Sequence, residues 1–307
     1  MSTTRTFFAL VVALVAAEAR AQPAAKPLEF RTGVGGVYVD AFVTRGERPV
    51  PDLRASSFEL LDNGVPQQLE LLSAETRPLR AVLVFDTSSS MAGDRLEALR
   101  AAGAAFLDGL RPADEAGLVA FNEDVVWLAE PAADKAKVRQ ALARLRASGA
   151  TAVYDALYAG ITLSEGERRA LIVLFTDGED NTSWLGEADL RTVAQRSNAL
   201  VHVVGWRPPA SVSASRPLLP PLLSESPQER LLREIAESAG GRYWQADSPE
   251  RLRRAFSAIA DAMGHRYVLR YEPTGVAREG WHRIEARLRG VKGDVHVRRG
   301  YWIGHGG

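Results

Sequence analysis

Ala81-Val82-Leu83-Val84-Phe85-Asp86-Thr87-Ser88-Ser89-Ser90-Met91 is the stretch whose reading decides the fold. Residues 81–85 are apolar without interruption, which is the pattern of a short strand buried on both faces. The chain then enters a turn rich in hydroxyl groups, and a helix begins at about Asp94. Leu96, Leu99, Phe106, Leu107 and Leu110 fall on one face of that helix at helical spacing. A doubly buried strand followed by an amphipathic helix is the opening unit of a parallel sheet with helices on both sides.

Working outward, the alternation continues from residue 79 to residue 264. Residues 117–121 and 125–128, separated by Asn122-Glu123-Asp124, read as a hairpin, and Glu123 and Asp124 read as its turn. Helices are expected over 135–146 and 152–163, a second buried strand over 171–175, a helix over 190–198 and a strand over 200–205. Residues 208–227 are rich in Pro and Ser and read as a surface loop. A helix over 231–238 ends at Gly240-Gly241, an edge strand follows over 242–245, and the last helix spans 249–263. Both flanks are β in character. At the N-terminal side, residues 37–43 form one strand. Phe58-Glu59-Leu60-Leu61 leads into Asp62-Asn63-Gly64, a hairpin signal whose return strand is expected over 69–73. At the C-terminal side, residues 267–271, 282–288 and 295–297 alternate apolar and polar. Neither flank is large enough to bury a core alone. The economical arrangement is one small β-sandwich made from residues 30–78 and 265–303, beside an α/β domain over 79–264.

The chemistry lies in the hydroxyl-rich turn. Asp86, Ser88 and Ser90 form D-x-S-x-S at the end of a buried strand. Thr151 sits in a loop leading into a helix, and Asp177 sits in the turn after the second buried strand. In a doubly wound sheet such loops gather at the carboxyl ends of the strands, where ligands bind. Five oxygen-bearing side chains from three separated loops then face one crevice. Hard oxygen donors suit Mg²⁺, or Mn²⁺, and two carboxylates with three hydroxyls leave the ion able to take one more anionic oxygen.

These residues resemble, position for position, the metal-ion-dependent adhesion site (MIDAS) of von Willebrand factor type A (VWA) and integrin I domains. The resemblance implies a Rossmann-like fold with a mostly parallel sheet, one bound divalent ion on Asp86, Ser88, Ser90, Thr151 and Asp177, and a partner carboxylate completing the ion's shell. The phrases Thr151-Ala152-Val153-Tyr154-Asp155-Ala156-Leu157 and Thr176-Asp177-Gly178-Glu179-Asp180-Asn181 look like bacterial members. The flanks, with Phe58 to Gly64, Arg77-Pro78-Leu79, Arg266 to Tyr271 and Gly300-Tyr301, are similar to exported bacterial "VWFA-related" proteins.

Other classes fit less well. With 38 basic and 38 acidic residues the net charge is zero, which gives no general pull toward nucleic acid or anionic membranes. No Gly-Lys pair offers a phosphate-binding loop, and no His is followed by Glu as in the common zinc-protease motif. Ser88 stands where a phosphatase of the haloacid dehalogenase type carries its second acid. The tail histidines and His202, inside a strand, read as structural or solvent-exposed, so no catalytic residue is assigned and no enzyme is expected. Asp155 reads as a hydrogen-bond partner behind Thr151. Asp180, Asn181 and Trp184 fit either a ligand surface or a solvated loop.

The compartment is read from the first residues. Arg5 precedes an apolar run from Phe7 to Ala17, and Ala19-Arg20-Ala21 has the form of a signal-peptidase site. Residues 1–21 are therefore expected to be a signal peptide cut after Ala21, the alternative being retention as an anchor. The run is shorter than the ~20 residues needed to span a bilayer. The mature chain, without cysteine, is expected in the periplasm or secreted. The function expected is metal-dependent binding of a protein ligand through its Asp or Glu carboxylate. The alternative is a structural or assembly subunit that works through its β-sandwich with a vestigial metal site.

Overall fold

The computed structural model of the protein describes residues 36–46, 48–72, 78–164, 169–207 and 225–303. The signal read at residues 1–21 and the bulk of the Pro-rich stretch, residues 208–224, lie outside the described residues. Among the described residues no helix is long and apolar enough to cross a membrane.

The apolar stretch that opened the reading is β6 (Leu79–Asp86), and it lies in the middle of a six-stranded sheet. It pairs in parallel with β7 (Glu115–Phe121) on one side and β9 (Arg169–Thr176) on the other. Beyond β9 come β10 (Leu200–Trp206) and the edge strand β11 (Tyr243–Ala246), both parallel. Beyond β7 comes β8 (Val125–Ala132), antiparallel. Burial on both faces explains the uninterrupted apolar runs. Leu83 and Phe85 face α1 (Asp94–Gly109), α2 (Ala136–Arg144) and α6 (Pro249–Gly264), packing with Leu99, Phe106, Leu142 and Phe256. Val82 and Val84 face α3 (Val153–Leu163), α4 (Glu187–Arg196) and α5 (Pro227–Ser238), packing with Leu157, Leu190 and Leu231. The chain leaves β6 toward β7 and returns on the opposite side as β9. The loops after β6 and β9 therefore diverge, and a crevice opens between the carboxyl ends of the two strands.

Helix α5 begins earlier than its apolar pattern suggested. Ser226 accepts from the Glu229 N–H at 3.2 Å, the Glu229 carboxylate accepts from the Ser226 N–H at 3.0 Å, and Pro227 occupies the first turn. This reciprocal capping starts the helix at Pro227, four residues before Leu231.

The two flanks form two further sheets packed face to face. In one, β1 (Val37–Arg45) pairs with β12 (Tyr267–Tyr271), β14 (Asp294–His296) and β2 (Arg48–Pro49), and β12 also pairs with β5 (Glu70–Leu72). In the other, β3 (Phe58–Asp62) pairs with β4 (Val65–Pro66) and β13 (Gly280–Leu288), and β13 also pairs with β15 (Gly300–Ile303). Val39, Ala41, Phe58, Leu60, Leu269, Ile284 and Tyr301 make the shared core.

Two details differ from the sequence reading. The hairpin at Asn63 (φ 47°) and Gly64 (φ 82°) returns at once through Val65–Pro66. Pro66 has no N–H with which to extend that ladder, and Glu70–Leu72 crosses to pair with β12 in the opposite sheet. The last strand, β15, was not anticipated as a strand at all. Its pairing with β13 supplies the order that Gly300-Tyr301-Trp302-Ile303 does not announce locally.

Buried polar groups fix how these parts fit. Asp62 is sealed in the sandwich, where Tyr271 donates to Oδ2 at 2.9 Å and Tyr301 at 2.7 Å, and His282 Nδ1 lies 2.8 Å from Oδ1. His282 is thus a buried structural residue. Desolvation, with the Asp62 charge beside them, pushes both tyrosine hydroxyls well above the ordinary phenol range. Between the two bodies, Asp40 of β1 pairs with Arg169 at the start of β9 and faces Arg266 at 3.7 Å. Arg298, next to β14, donates to Asn198 Oδ1 at 2.5 Å and to the Ser197 carbonyl at 3.0 Å, just before β10.

Asp62→Ala should therefore leave three buried polar groups without their common partner, at a cost of about 3–5 kcal/mol. Urea unfolding and hydrogen exchange should show β1, β3, β12 and β13 losing protection first. A wild-type midpoint would mean that the cluster does not hold the sandwich.

Candidate metal centre

Asp86 ends β6 and has no solvent exposure. Its Oδ1 accepts from the Ser88 N–H at 2.9 Å, and its Oδ2 accepts from the Thr176 hydroxyl at 2.7 Å, so one carboxylate ties the loop after β6 to the end of β9. Thr87 is locked to the Phe121 carbonyl by its N–H at 2.7 Å and its hydroxyl at 2.9 Å. Ser88 and Ser90 hydroxyls lie 3.0 Å apart, and Ser90 donates to Asp177 Oδ1 at 2.7 Å. Neither serine hydroxyl caps a helix: the short 3-10 turn Ser89–Met91 follows Ser88 without a side-chain cap, and Gly93 occupies the cap position of α1. Both hydroxyls are committed to the crevice.

Thr151 arrives on a loop stitched to both neighbours. Ser148 N–H donates to the Thr87 carbonyl at 2.8 Å, Ser89 N–H to the Gly149 carbonyl at 3.0 Å, and Ala152 N–H to the Asn122 carbonyl at 2.8 Å. Gly149 is required here: its φ is +78°, and a Cβ would overlap the Glu123 carboxylate. Glu123 does more than occupy the hairpin turn, because its Oε2 accepts from the Ala150 N–H at 2.8 Å. Thr151 is buried, donates its N–H to Asn181 Oδ1 at 3.0 Å, accepts from the Asn181 N–H at its carbonyl at 3.0 Å, and places its hydroxyl oxygen 3.7 Å from where a Cβ on Gly178 would lie. Asp86, Ser88, Ser90 and Asp177 thus form one hydrogen-bonded chain, and Thr151 adjoins it beside Gly178.

Burial is the largest influence on Asp86 and raises its pKa above the ordinary 3.8; bonds from Ser88 and Thr176 oppose this, and the nearby Asp177 charge adds to it. The Asp177 side chain has no solvent exposure and is paired with a residue the sequence reading missed. Arg95, in the first turn of α1, donates to Asp177 Oδ2 at 2.6 Å and to the Ser90 carbonyl at 3.2 Å. The donor set is two carboxylates and three hydroxyls, all hard oxygens, which fits Mg²⁺ or Mn²⁺ and disfavours soft metals. Among the described residues no three His, Cys, Asp or Glu side chains gather into a metal-ligating group; the candidate site itself has two carboxylates and relies on hydroxyls for the rest.

The rim carries an exposed aromatic. Trp184 is 96% exposed, yet its loop is firmly held. Asp155 accepts from the Trp184 and Leu185 N–H groups at 3.0 Å each, and Asp180 accepts from the Ser183 hydroxyl at 2.5 Å. Asp155 is therefore a loop clamp one helical turn beyond Thr151. His202 lies inside β10, where burial pulls its pKa down to about 3 and leaves it neutral.

Residues 81–179 match the family model of the von Willebrand factor type A domain. With the sheet order and the loop geometry above, this part of the chain is a VWA domain. The matched span holds every residue of the proposed ion site. Among curated sequences, the chain is 33% identical to an uncharacterized protein of Synechocystis over 138 residues, 42% of this chain and 32% of that one. It is 27% identical to a UPF0353 protein of Mycolicibacterium paratuberculosis over 208 residues, 61% of each chain. It is 25% identical to a UPF0353 protein of Mycolicibacterium gilvum over 303 residues, 83% of this chain and 86% of that one. The chain thus spans about a third of the Synechocystis protein and about three fifths of the M. paratuberculosis one. Solved structures that align with it include a von Willebrand factor type A protein from Catenulispora acidiphila, at 16% identity and TM-score 0.49, covering 90% of this chain and 76% of that one. Another is the PilB minor pilin from Streptococcus sanguinis, at 16% identity and TM-score 0.47, covering 62% of each.

The elevated Asp86 pKa has a stability consequence. The folded carboxyl holds its proton more tightly than the unfolded one, so folding is favoured at low pH and loses stability as pH rises from about 3.8 toward the raised folded value. In chelator, Asp86→Asn should be at least as stable as wild type at pH 7 and lack that pH-dependent loss. Thr176 can reverse its bond, accepting from the new amide while donating to the Gly178 carbonyl it already reaches at 3.1 Å. Thermal melts across pH in chelator check this, and a large destabilisation of Asp86→Asn would contradict it.

Proposed function

We propose that this protein is a MIDAS-type binding module that acts outside the cytoplasm, holds one Mg²⁺ or Mn²⁺ and captures a protein ligand through an Asp or Glu carboxylate, with no catalytic step. The observation that carries this reading is the continuous chain Asp86–Ser88–Ser90–Asp177, with Thr151 alongside, at the crevice between β6 and β9. Ser88 and Ser90 would hold the ion directly and Thr151 and Asp177 directly or through water, with Asp86 and Asp177 neutralising its charge. When bound, the ion supplies an electrophilic centre for one external carboxylate. The chain's own part is to preset the donors: Asp86 orients Ser88 through its N–H, Thr176 orients Asp86, and Asn181 fixes Thr151.

Trp184 would supply the neighbouring apolar contact. An exposed indole on a fixed loop loses little conformational entropy on binding, the property that makes tryptophan a frequent anchor. Action outside the cytoplasm rests on the signal-like sequence of residues 1–21.

Wild-type protein should bind one Mn²⁺ per chain in calorimetry, and Ser90→Ala should lose it while keeping its thermal midpoint within about 1 kcal/mol of stability. In pull-downs from envelope extract, a specific partner should be retained with Mg²⁺ and released by chelator. Trp184→Ala should weaken that partner by about thirty-fold without altering Mn²⁺ affinity. Retention in chelator would instead favour contacts through the β-sandwich, and equal Mn²⁺ binding by wild type and Ser90→Ala would overturn the site.

A further inference from the structure

Arg95 stands in an unfavourable place for its charge. It occupies the first turn of α1, where the helix dipole favours acids over bases. Its guanidinium instead covers the sealed Asp177 carboxylate at 2.6 Å and reaches the Ser90 carbonyl at 3.2 Å, while its own side chain stays 38% exposed. It is thus a cation fixed against two groups of the proposed ion site with one side open to solvent.

The charge count gives this placement a consequence. Asp86 and Asp177 bring two negative charges to the crevice, so a divalent ion held by them alone would make a neutral centre with little demand for an anion. With Arg95 included, the same loaded centre carries one net positive charge. The other nearby acids, Glu123, Asp155, Glu179 and Asp180, keep their charges and lower the local potential, but they are the same with or without Arg95, so its one positive charge is the difference. Arg95 draws on the same Asp177 charge that a metal would use, so it weakens ion binding and strengthens the loaded site's attraction for a carboxylate.

We propose that Arg95 is the anion-recruiting residue of this site, trading divalent-ion affinity for affinity toward the incoming carboxylate. The inference rests on the metal-binding reading above and deepens it. Its test uses Mn²⁺ alone and then acetate as the carboxylate probe, with wild-type, Arg95→Gln and Arg95→Lys full-length chains. Calorimetry gives the Mn²⁺ constants. Relaxation of the acetate methyl protons by bound Mn²⁺, at matched Mn²⁺ occupancy, gives the acetate constants.

Arg95→Gln should bind Mn²⁺ more tightly and acetate more weakly, each by up to about five-fold, the range of a partly exposed ion pair. Arg95→Lys, which keeps the charge, should stay close to wild type on both. A merely structural role would move both constants in the same direction, and that result, or no change in either, overturns the proposal. If wild type binds Mn²⁺ and Arg95→Gln behaves identically, this inference alone falls. If wild type binds no Mn²⁺, the metal-binding reading falls and takes this inference with it.

Discussion

A carboxylate with no access to water, at the end of the central strand, is the constraint on which the rest of the candidate site depends. Asp86 is held by one N–H and one hydroxyl, from Ser88 and Thr176. Those two bonds join the loops after β6 and β9, and the serines and Asp177 take their positions from them. A buried, charged carboxylate with so few partners is costly, as its raised pKa records. Such a cost persists where the surrounding structure over-determines it. Here the Phe121 carbonyl, the Asn122 carbonyl and the Gly149 turn all hold the loops from behind.

The same economy governs the second body. Neither flank of the chain has enough apolar surface for a core, so β1 and β3 close over β12, β13 and β15, brought together across more than 200 residues of sequence. Asp62 gives that assembly a single arrangement, because one carboxylate meets groups from three strands of the tail. Asp40 and Arg298 then fasten the sandwich to the base of the sheet, at the start of β9 and just before β10. The carboxyl ends of the strands are left to the loops of the candidate site. Structural load and binding surface are in this way kept at different edges of the sheet.

The rim extends this division. Asp155, Asp180 and Asn181 spend their side-chain oxygens on backbone N–H groups and on the Ser183 hydroxyl, which rigidifies the loop after β9. Arg95 and Trp184 are among the side chains that face outward from that frame, one charged and one aromatic.

Much of this was legible in the residues. The apolar run 81–85 announces a doubly buried strand because β6 has helices on both faces, and the alternation of strands and helices follows from the same burial. Asp86, Ser88, Ser90, Thr151 and Asp177 could be expected near one another because a doubly wound sheet gathers its loops at the carboxyl ends of its strands. What the sequence could not disclose were contacts between segments with no local signature. Arg95 looks like any exposed helical arginine until Asp177, 82 positions away, is folded against it. Glu123 looks like a turn residue until Gly149 comes alongside. Asp62, Tyr271, His282 and Tyr301 carry no shared periodicity, and their convergence, like the strand identity of residues 300–303, is decided by pairing across the chain. Local sequence determines which faces must be buried and which turns are possible. Only tertiary packing decides which distant polar groups share one desolvated space.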